Sequence, residues 1–350
     1  MIALLVSGGI ALVISLAGTP LLIRWLQTRG IGQPIQEDLE GHHTKAGTPT
    51  MGGLMIVAAA VGGYMVAHLT RGTLVFTRNG LAVLLLIVGG GVVGLVDDWI
   101  KVTRNRSLGL NKRAKTIGQV IIGTGFAYLA LHWVHVQTQL GFTRVDSLRF
   151  GHHAPPDLGH WGWAIWAIVL IYATSNAVNL TDGLDGLAAG SSTFAFSAFA
   201  LIGFWLFRHE SIYHVKHSLD LAVIAVALVG GCAGFLWWNA APARIIMGDT
   251  GSLAIGAGLA GLALLLKVDL LLGVIGGLFV METVSVIVQV ASFRIFHRRV
   301  FRMAPIHHHF ELLGWPETTV IIRFWILSGL CTALAIGIFY ADFIHIGGLD

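Results

Sequence analysis

Residues 79–101 read NGLAVLLLIVGGGVVGLVDDWIK. No charge occurs from Asn79 to Val96, and two adjacent carboxylates, Asp97 and Asp98, follow at once. An uncharged apolar run of about 18 residues or more is long enough to span a bilayer as a helix. The stretch therefore predicts a transmembrane helix that ends in paired acids at a membrane surface.

The same pattern recurs on both sides of it. Apolar segments at 2–26, 52–69, 117–136, 161–179, 187–207, 219–238, 251–267, 270–293 and 319–341 join 79–100 to make ten. The expected fold is an all-α integral membrane protein, a bundle of about ten transmembrane helices with its active site at the cytoplasmic face. Composition agrees: 55% of residues are hydrophobic and 11% charged, against about 25% charged in soluble domains. That excludes a single soluble globule and a disordered chain. Glycine is abundant, 45 of 350 residues, which suits closely approaching membrane helices. Gly90 and Gly94, Gly186 and Gly190, and Gly273 and Gly277 are expected to act as such close-approach pairs. Cys232 and Cys331 lie in apolar runs and read as small buried hydrophobes. Ile2 to Ile23 is too long for the apolar core of a signal peptide and lacks a basic leader, so it reads as a retained anchor.

The polar stretches 27–51, 101–116, 137–160 and 294–318 all fall short of the roughly 50 residues of an independent domain. Residues 1–350 thus read as one polytopic membrane domain, and any site must be built from helix ends and short loops. Placing the loop after the first helix in the cytoplasm puts fourteen Lys and Arg there and seven on the other side, with Arg323 inside the last helix completing the 22. Positive charge favours the cytoplasmic side, so both termini are expected outside the cytoplasm. The net charge of +4 is spread over membrane loops, which argues against a nucleic-acid partner.

Five clusters on the expected cytoplasmic side carry chemistry. His42 to Gly53 is a Gly, Thr and Pro turn around Lys45 that leads into a helix start, where backbone amides can meet an anion; a plain surface turn is the simpler reading. Asp97 and Asp98 point about 100° apart on a helix, so one is expected to face a site while the other caps or orients. The basic segment Lys101 to Lys115 suits phosphates or lipid headgroups, or is only a positive-inside loop. Asn176, Asn179, Asp182 and Asp185 recur every third residue along one helical face, with Gly183 and Gly186 breaking the run into a loop. Asn239 and Asp249 bracket a turn, and an N-cap is the bland role for Asp249. His307, His308 and His309 lack the HExxH spacing of a zinc helix and stand near Arg298, Arg299 and Arg302, which suits anion contact. A sixth signal is the stripe Glu282, Ser285, Gln289 and Ser292. It reads as one wall of a groove or as interhelical hydrogen bonding. Gly89 to Gly94 matches GxGxxG inside an apolar span, where a dinucleotide site has no strand to follow.

Carboxylates without cysteines, beside basic and Gly-rich partners, favour Mg²⁺ and a phosphate-bearing substrate. Here the motifs reach a family. HHTKAGTPTMGG at 42–53, VDDWIK at 96–101, NAVNLTDGLDGLA at 176–188, NAAPARIIMGDTGS at 239–252 and APIHHHFE at 304–311 together resemble the phospho-N-acetylmuramoyl-pentapeptide transferases, a branch of the polyprenyl-phosphate N-acetylhexosamine-1-phosphate transferases. The HHHFE run favours that branch. The resemblance implies a dimeric ten-helix enzyme of the bacterial cytoplasmic membrane. It would transfer phospho-MurNAc-pentapeptide from UDP-MurNAc-pentapeptide to undecaprenyl phosphate, giving lipid I and UMP with Mg²⁺ required. It implies Asp249 as metal ligand and Asp97 and Asp98 as the groups that position or deprotonate the lipid phosphate. Lys45, Asn176, Asn179, Asp182, Asp185, Asn239 and Gln289 would hold the nucleotide-sugar. Lys115, His307, His308 and His309 would contact phosphates or the sugar. The rivals are a sister transferase using another UDP-sugar, a secondary transporter built around Glu282, and an intramembrane aspartyl protease. The outer segment 137–160 matches nothing assignable.

Overall fold

Hydropathy and capping set where the helices run. The computed structural model describes residues 1–32, 47–70, 74–104, 109–145 and 157–346; Lys45, His42 and His43 lie outside them. The elements are α1 (Ile2–Thr28), α2 (Gly53–Leu69), α3 (Arg78–Thr103), α4 (Lys112–Leu129), α5 (Gly159–Thr181), α6 (Leu187–Arg208), α7 (Glu210–Tyr213), α8 (Ser218–Asn239), α9 (Gly248–Leu266), α10 (Leu272–Ile275), α11 (Gly277–Phe296), α12 (Ile306–Glu311) and α13 (Glu317–His345). The Thr77 hydroxyl caps α3 by accepting from the Gly80 amide, and Asn111 caps α4 by accepting from Ala114, each satisfying one orphan donor of a first turn. A π-helical turn, Ala130–Val134, prolongs α4.

Among the described residues, nine helices are long and apolar enough to cross a membrane, and α2, with 17 residues, is shorter. Seventeen is the low end of the spanning range, so each of the ten apolar segments has its helix. This is a multi-pass membrane protein. The described residues hold no strand, only an isolated bridge between Gln139 and Asp157.

The apolar segment 251–267 becomes the centre of the bundle. Every residue of α9 from Asp249 to Leu266 is buried, against α3, α5, α2, α6 and α8. Small residues permit this. A methyl group at Gly94 of α3 would run into the Asp249 carbonyl, and one at Gly53 of α2 into the Gly251 backbone, so both crossings are made backbone to backbone. Gly90 belongs to the same crossing, against Leu253. In the other two pairs one member makes a close approach, Gly190 against the Trp325 ring and Gly277 against Cys331. Gly186 takes a left-handed turn before α6, and Gly273 has open space around it.

The apolar run 270–293 is not one helix. The chain turns through Val268–Leu271, makes the short α10, and restarts at Gly277. A buried Lys267 ammonium donates to the Gln137 and Gln139 carbonyls, and Asp269 accepts from the Gly141 amide. These bonds tie the end of α9 to the segment after α4. Lipid-facing stripes are plain elsewhere, as with Ile322, Ile326, Leu330 and Leu334 of α13, spaced to share one face.

Candidate active site

Alternating helix directions bring the C-terminal ends of α3 and α5 and the N-terminal ends of α4 and α9 to one end of the bundle. Asp98 reaches from α3 to cap α9. Its Oδ1 accepts from the Asp249 amide at 3.1 Å, and its Oδ2 accepts from the Thr250 amide at 2.9 Å and the Thr250 hydroxyl at 2.7 Å. Its oxygens meet the orphan donors of a first helical turn. Asp97 is held otherwise. Its Oδ1 accepts from the Leu110 amide at 2.8 Å, and its Oδ2 lies 2.6 Å from the Lys101 ammonium.

Asp249 is the hub. Its Oδ2 receives Lys115 at 2.8 Å and Lys101 at 3.0 Å, and its Oδ1 accepts from Asn179 Nδ2 at 2.6 Å. Asn179 also donates to Ser252, and Lys115 donates to Asn179 Oδ1 at 3.3 Å. The carboxylates of Asp97, Asp98 and Asp249 each offer an oxygen within 4.8 Å of the others, and all three residues are buried. Three carboxylates against the Lys101 and Lys115 ammoniums leave a formal charge of −1. The lysine side chains are 27% and 19% exposed, so the cluster opens to solvent through its cations. Oxygen donors gathered in this way, without sulfur, could hold a metal ion.

The turn after α5 adds a second layer. Burial and the nearby Asp249, Asp98 and Asp185 carboxylates push the Asp182 pKa well above the usual carboxylate range. Asp185 accepts from the Ala243 amide, and the Asp185 amide donates to Glu317. Asn239 accepts from the Gly186 amide and donates to the Ile245 carbonyl. Asp185 and Asn239 thus clamp the 182–186 turn to the 239–245 turn. Asn176 stands one helical turn deeper and donates to Gln119 of α4 and to the Tyr172 carbonyl.

The α11 stripe faces the segment that follows it. Glu282 lies 3.1 Å from His307, with both side chains fully buried. Gln289 accepts from the Val300 and Phe301 amides and donates to the Phe301 carbonyl, and Ser292 donates to the Arg298 carbonyl. The stripe therefore grips 298–307. The His307 ring reaches Gly183, where a methyl group would collide with Nε2, so α12 packs on the 182–186 turn. His308 pairs with Glu311 at 2.6 Å, and His309 Nδ1 accepts from the Arg302 amide.

The structure therefore brings Asp97, Asp98, Asp249, Lys115 and Asn179 into one bonded network and sets Asp182 beside it. Asp185, Asn239 and His307 meet it through the 182–186 turn. Gln289, His308 and His309 hold the segment after α11 rather than the acidic cluster, and Lys45 lies outside the described residues. Lys101, by sequence the start of a basic loop, lies in the last turn of α3 and joins the acidic network. It stands four residues after Asp97 and three after Asp98, which is ion-pair spacing on a helix. That spacing was the available signal.

Comparison with known proteins agrees with the motifs. The family model described as glycosyl transferase family 4 matches residues 80–267, and phospho-N-acetylmuramoyl-pentapeptide-transferase signature 1 matches residues 45–57. Proteins named phospho-N-acetylmuramoyl-pentapeptide-transferase from Frankia alni and Thermobifida fusca are each 50% identical to this chain. The first covers 98% of both chains; the second covers 98% of this chain and 99% of its own. The one from Beutenbergia cavernae is 49% identical over 98% of this chain and 99% of its own. On its sequence and its buried acidic centre together, the chain belongs to the phospho-N-acetylmuramoyl-pentapeptide transferase family.

Proposed function

We propose that this protein transfers phospho-MurNAc-pentapeptide from UDP-MurNAc-pentapeptide to undecaprenyl phosphate, releasing UMP and forming lipid I, a step of peptidoglycan precursor synthesis. The observation that carries the reading is the acidic cluster of Asp97, Asp98 and Asp249, interlaced with Lys101 and Lys115, at one end of a membrane bundle. A soluble anionic donor and a lipid-borne phosphate meet naturally at such a place.

An oxygen of the lipid phosphate attacks the sugar-bearing phosphorus of the donor. The new P–O bond makes the lipid pyrophosphate, the bond to the α-phosphate breaks, and UMP leaves with the electron pair. A phosphate monoester has its second pKa near about 6, so the lipid phosphate is largely dianionic at neutral pH and needs little proton abstraction. Lys101 and Lys115 would neutralise and align the phosphates. Asp97, less committed to backbone donors than Asp98, would orient the acceptor through Lys101. Asp98 spends its oxygens on the first turn of α9, which favours direct attack over a route through a phospho-aspartate. Asn179 holds Asp249 in place. Asp249, with Asp97 and Asp98, would hold Mg²⁺, which when bound supplies charge neutralisation at the pyrophosphate. The side chains of Lys45, Asn176, Asp182, Asp185, Asn239, Gln289, His307, His308 and His309 would shape the nucleotide-sugar side, directly or by fixing the turns.

The same reading sets the protein in the bacterial cytoplasmic membrane with the acidic end in the cytoplasm and both termini outside. The two-to-one Lys and Arg asymmetry supports that orientation. One polytopic domain is supported by a core that runs from Ile23 to Phe343. A homodimer follows from the resemblance and is tested by mass measurement in detergent. The deciding experiment is UMP release by the purified protein with UDP-MurNAc-pentapeptide, undecaprenyl phosphate and Mg²⁺. Release that needs all three supports the proposal; release only with UDP-GlcNAc moves the protein to the sister branch.

A further inference from the structure

At the other end of the bundle lies a cavity of about 930 Å³ that the transfer reaction does not use. It gathers unusual backbone. Six non-glycine described residues have positive φ, and four of them, His135, His214, His217 and Lys267, line this cavity. Left-handed backbone is uncommon in non-glycine residues; His135, His214 and Lys267 use it to close the π-helical turn after α4, α7 and α9, and these helix ends bring their side chains to one cavity wall. All four carry a basic side chain. The guanidinium of Arg78 and the ammonium of Lys216 complete the wall.

The charges are available. Arg78 donates to the Trp133 carbonyl, and among the described residues neither it nor Lys216 has a carboxylate partner. The rings of His135, His214 and His217 make no hydrogen bond among the described residues. Of the two lining acids, Asp220 is already engaged: its carboxylate takes the Tyr64 hydroxyl, the Thr77 hydroxyl and amide, and His68. Glu210 is exposed. His217, the N-cap residue of α8, makes no side-chain cap and lines the same wall, which sets a helix start there, the end that favours negative charge. Phe76, Trp133, Phe207 and Leu265 supply an apolar wall, which a bare inorganic anion would not need.

Depth identifies the ligand class. Asp249 opens α9 and Lys267 closes it. At 1.5 Å per residue the two lie about 27 Å apart, close to the thickness of the hydrocarbon core. A cavity beside Lys267 is therefore at the headgroup level of the opposite leaflet from the acidic cluster. We propose that it is a binding site for the phosphate headgroup of an anionic glycerophospholipid in that leaflet, with Arg78 and Lys216 on the phosphate and the apolar wall against the acyl ester region.

The test is native mass spectrometry of delipidated protein in detergent, titrated with phosphatidylglycerol, phosphatidylcholine or inorganic phosphate. Phosphatidylglycerol is expected to be retained in preference to phosphatidylcholine. Arg78→Gln with Lys216→Gln is expected to weaken that retention about thirtyfold, at the usual worth of two basic side chains near an anionic surface. UMP release of the double variant, measured in detergent without the lipid, is expected to stay unchanged and serves as the folding control. A phosphatidylglycerol carrying a photoreactive headgroup is expected to cross-link wild-type peptides from 74–79 or 210–219, which does not depend on any variant. Equal retention of phosphatidylcholine, retention indifferent to the double variant, or cross-links only elsewhere overturns the site. Full competition by millimolar inorganic phosphate overturns its assignment to a lipid in favour of a free anion.

Discussion

Asp98 holds Thr250 by both its amide and its hydroxyl, at 2.9 and 2.7 Å, so a residue at the end of α3 fixes the first turn of α9. The next residue back on α9 is Asp249, and its placement depends on this grip. Thr250→Val keeps the side-chain shape but removes one donor from a buried carboxylate. The expected cost is about 1–3 kcal/mol, read as a lower melting temperature in detergent. Turnover should fall with it, and Thr250→Ser should restore most of both.

Asp249→Ala should abolish UMP release, by on the order of a thousandfold or more. EDTA should do the same to the wild type, and added Mg²⁺ should reverse only the EDTA effect. Residual activity within tenfold of wild type in Asp249→Ala would remove Asp249 from the centre.

The α3 and α9 crossing gives a third expectation. Gly94→Ala adds one methyl where the Asp249 carbonyl already sits. Overpacking of this kind costs about 1–3 kcal/mol, and here it moves the hub of the site. Activity should drop more than stability. Gly125→Ala, at a glycine with nothing near it, is the control and should be silent.

Asp269 supplies a pH dependence away from the acidic cluster. Burial pushes its pKa up to about 6 from 3.8, against the pull of Lys267 and the Gly141 amide. The folded protein then binds this proton more tightly than the unfolded chain does. Its contribution is full below about pH 4 and is lost as pH rises through about 6, an effect of up to about 3 kcal/mol. Melting temperature followed from pH 4 to 8 should show that decline. Asp269→Asn should flatten it and raise stability above pH 6. A slope unchanged in Asp269→Asn would show that another group titrates.

Much of this architecture was legible in the residues. Charge-free runs such as 79–96 place the spans because backbone in lipid has little choice but to be helical. The break at Lys267 was legible, between the segments 251–267 and 270–293, but the second break at Gly276 was not, because 270–280 is uncharged and apolar throughout while the chain makes the short α10 before α11 begins. The site divides the same way. Asp97, Asp98 and Asp249 stand out as acids at the ends of membrane helices, and the expectation that one of the adjacent pair would cap is met by Asp98. Gln289 shows the limit. Its helical stripe was plain, yet its partners are backbone groups at Val300 and Phe301, and amides carry no sequence signature.

The burial of α9 has a consequence for how the protein comes into being. Its residues meet other helices and almost no lipid, and its glycines and alanines make it a poor candidate to stay in a bilayer alone. During synthesis it is followed only by α10 to α13, after the partners that will enclose it have been made. The three-acid centre therefore exists only once α9 has taken its place among α2, α3, α5, α6 and α8. A chain made only as far as α8 carries Asp97, Asp98 and both lysines but no Asp249 between them, so the order of synthesis itself delays assembly of the centre until α9 arrives.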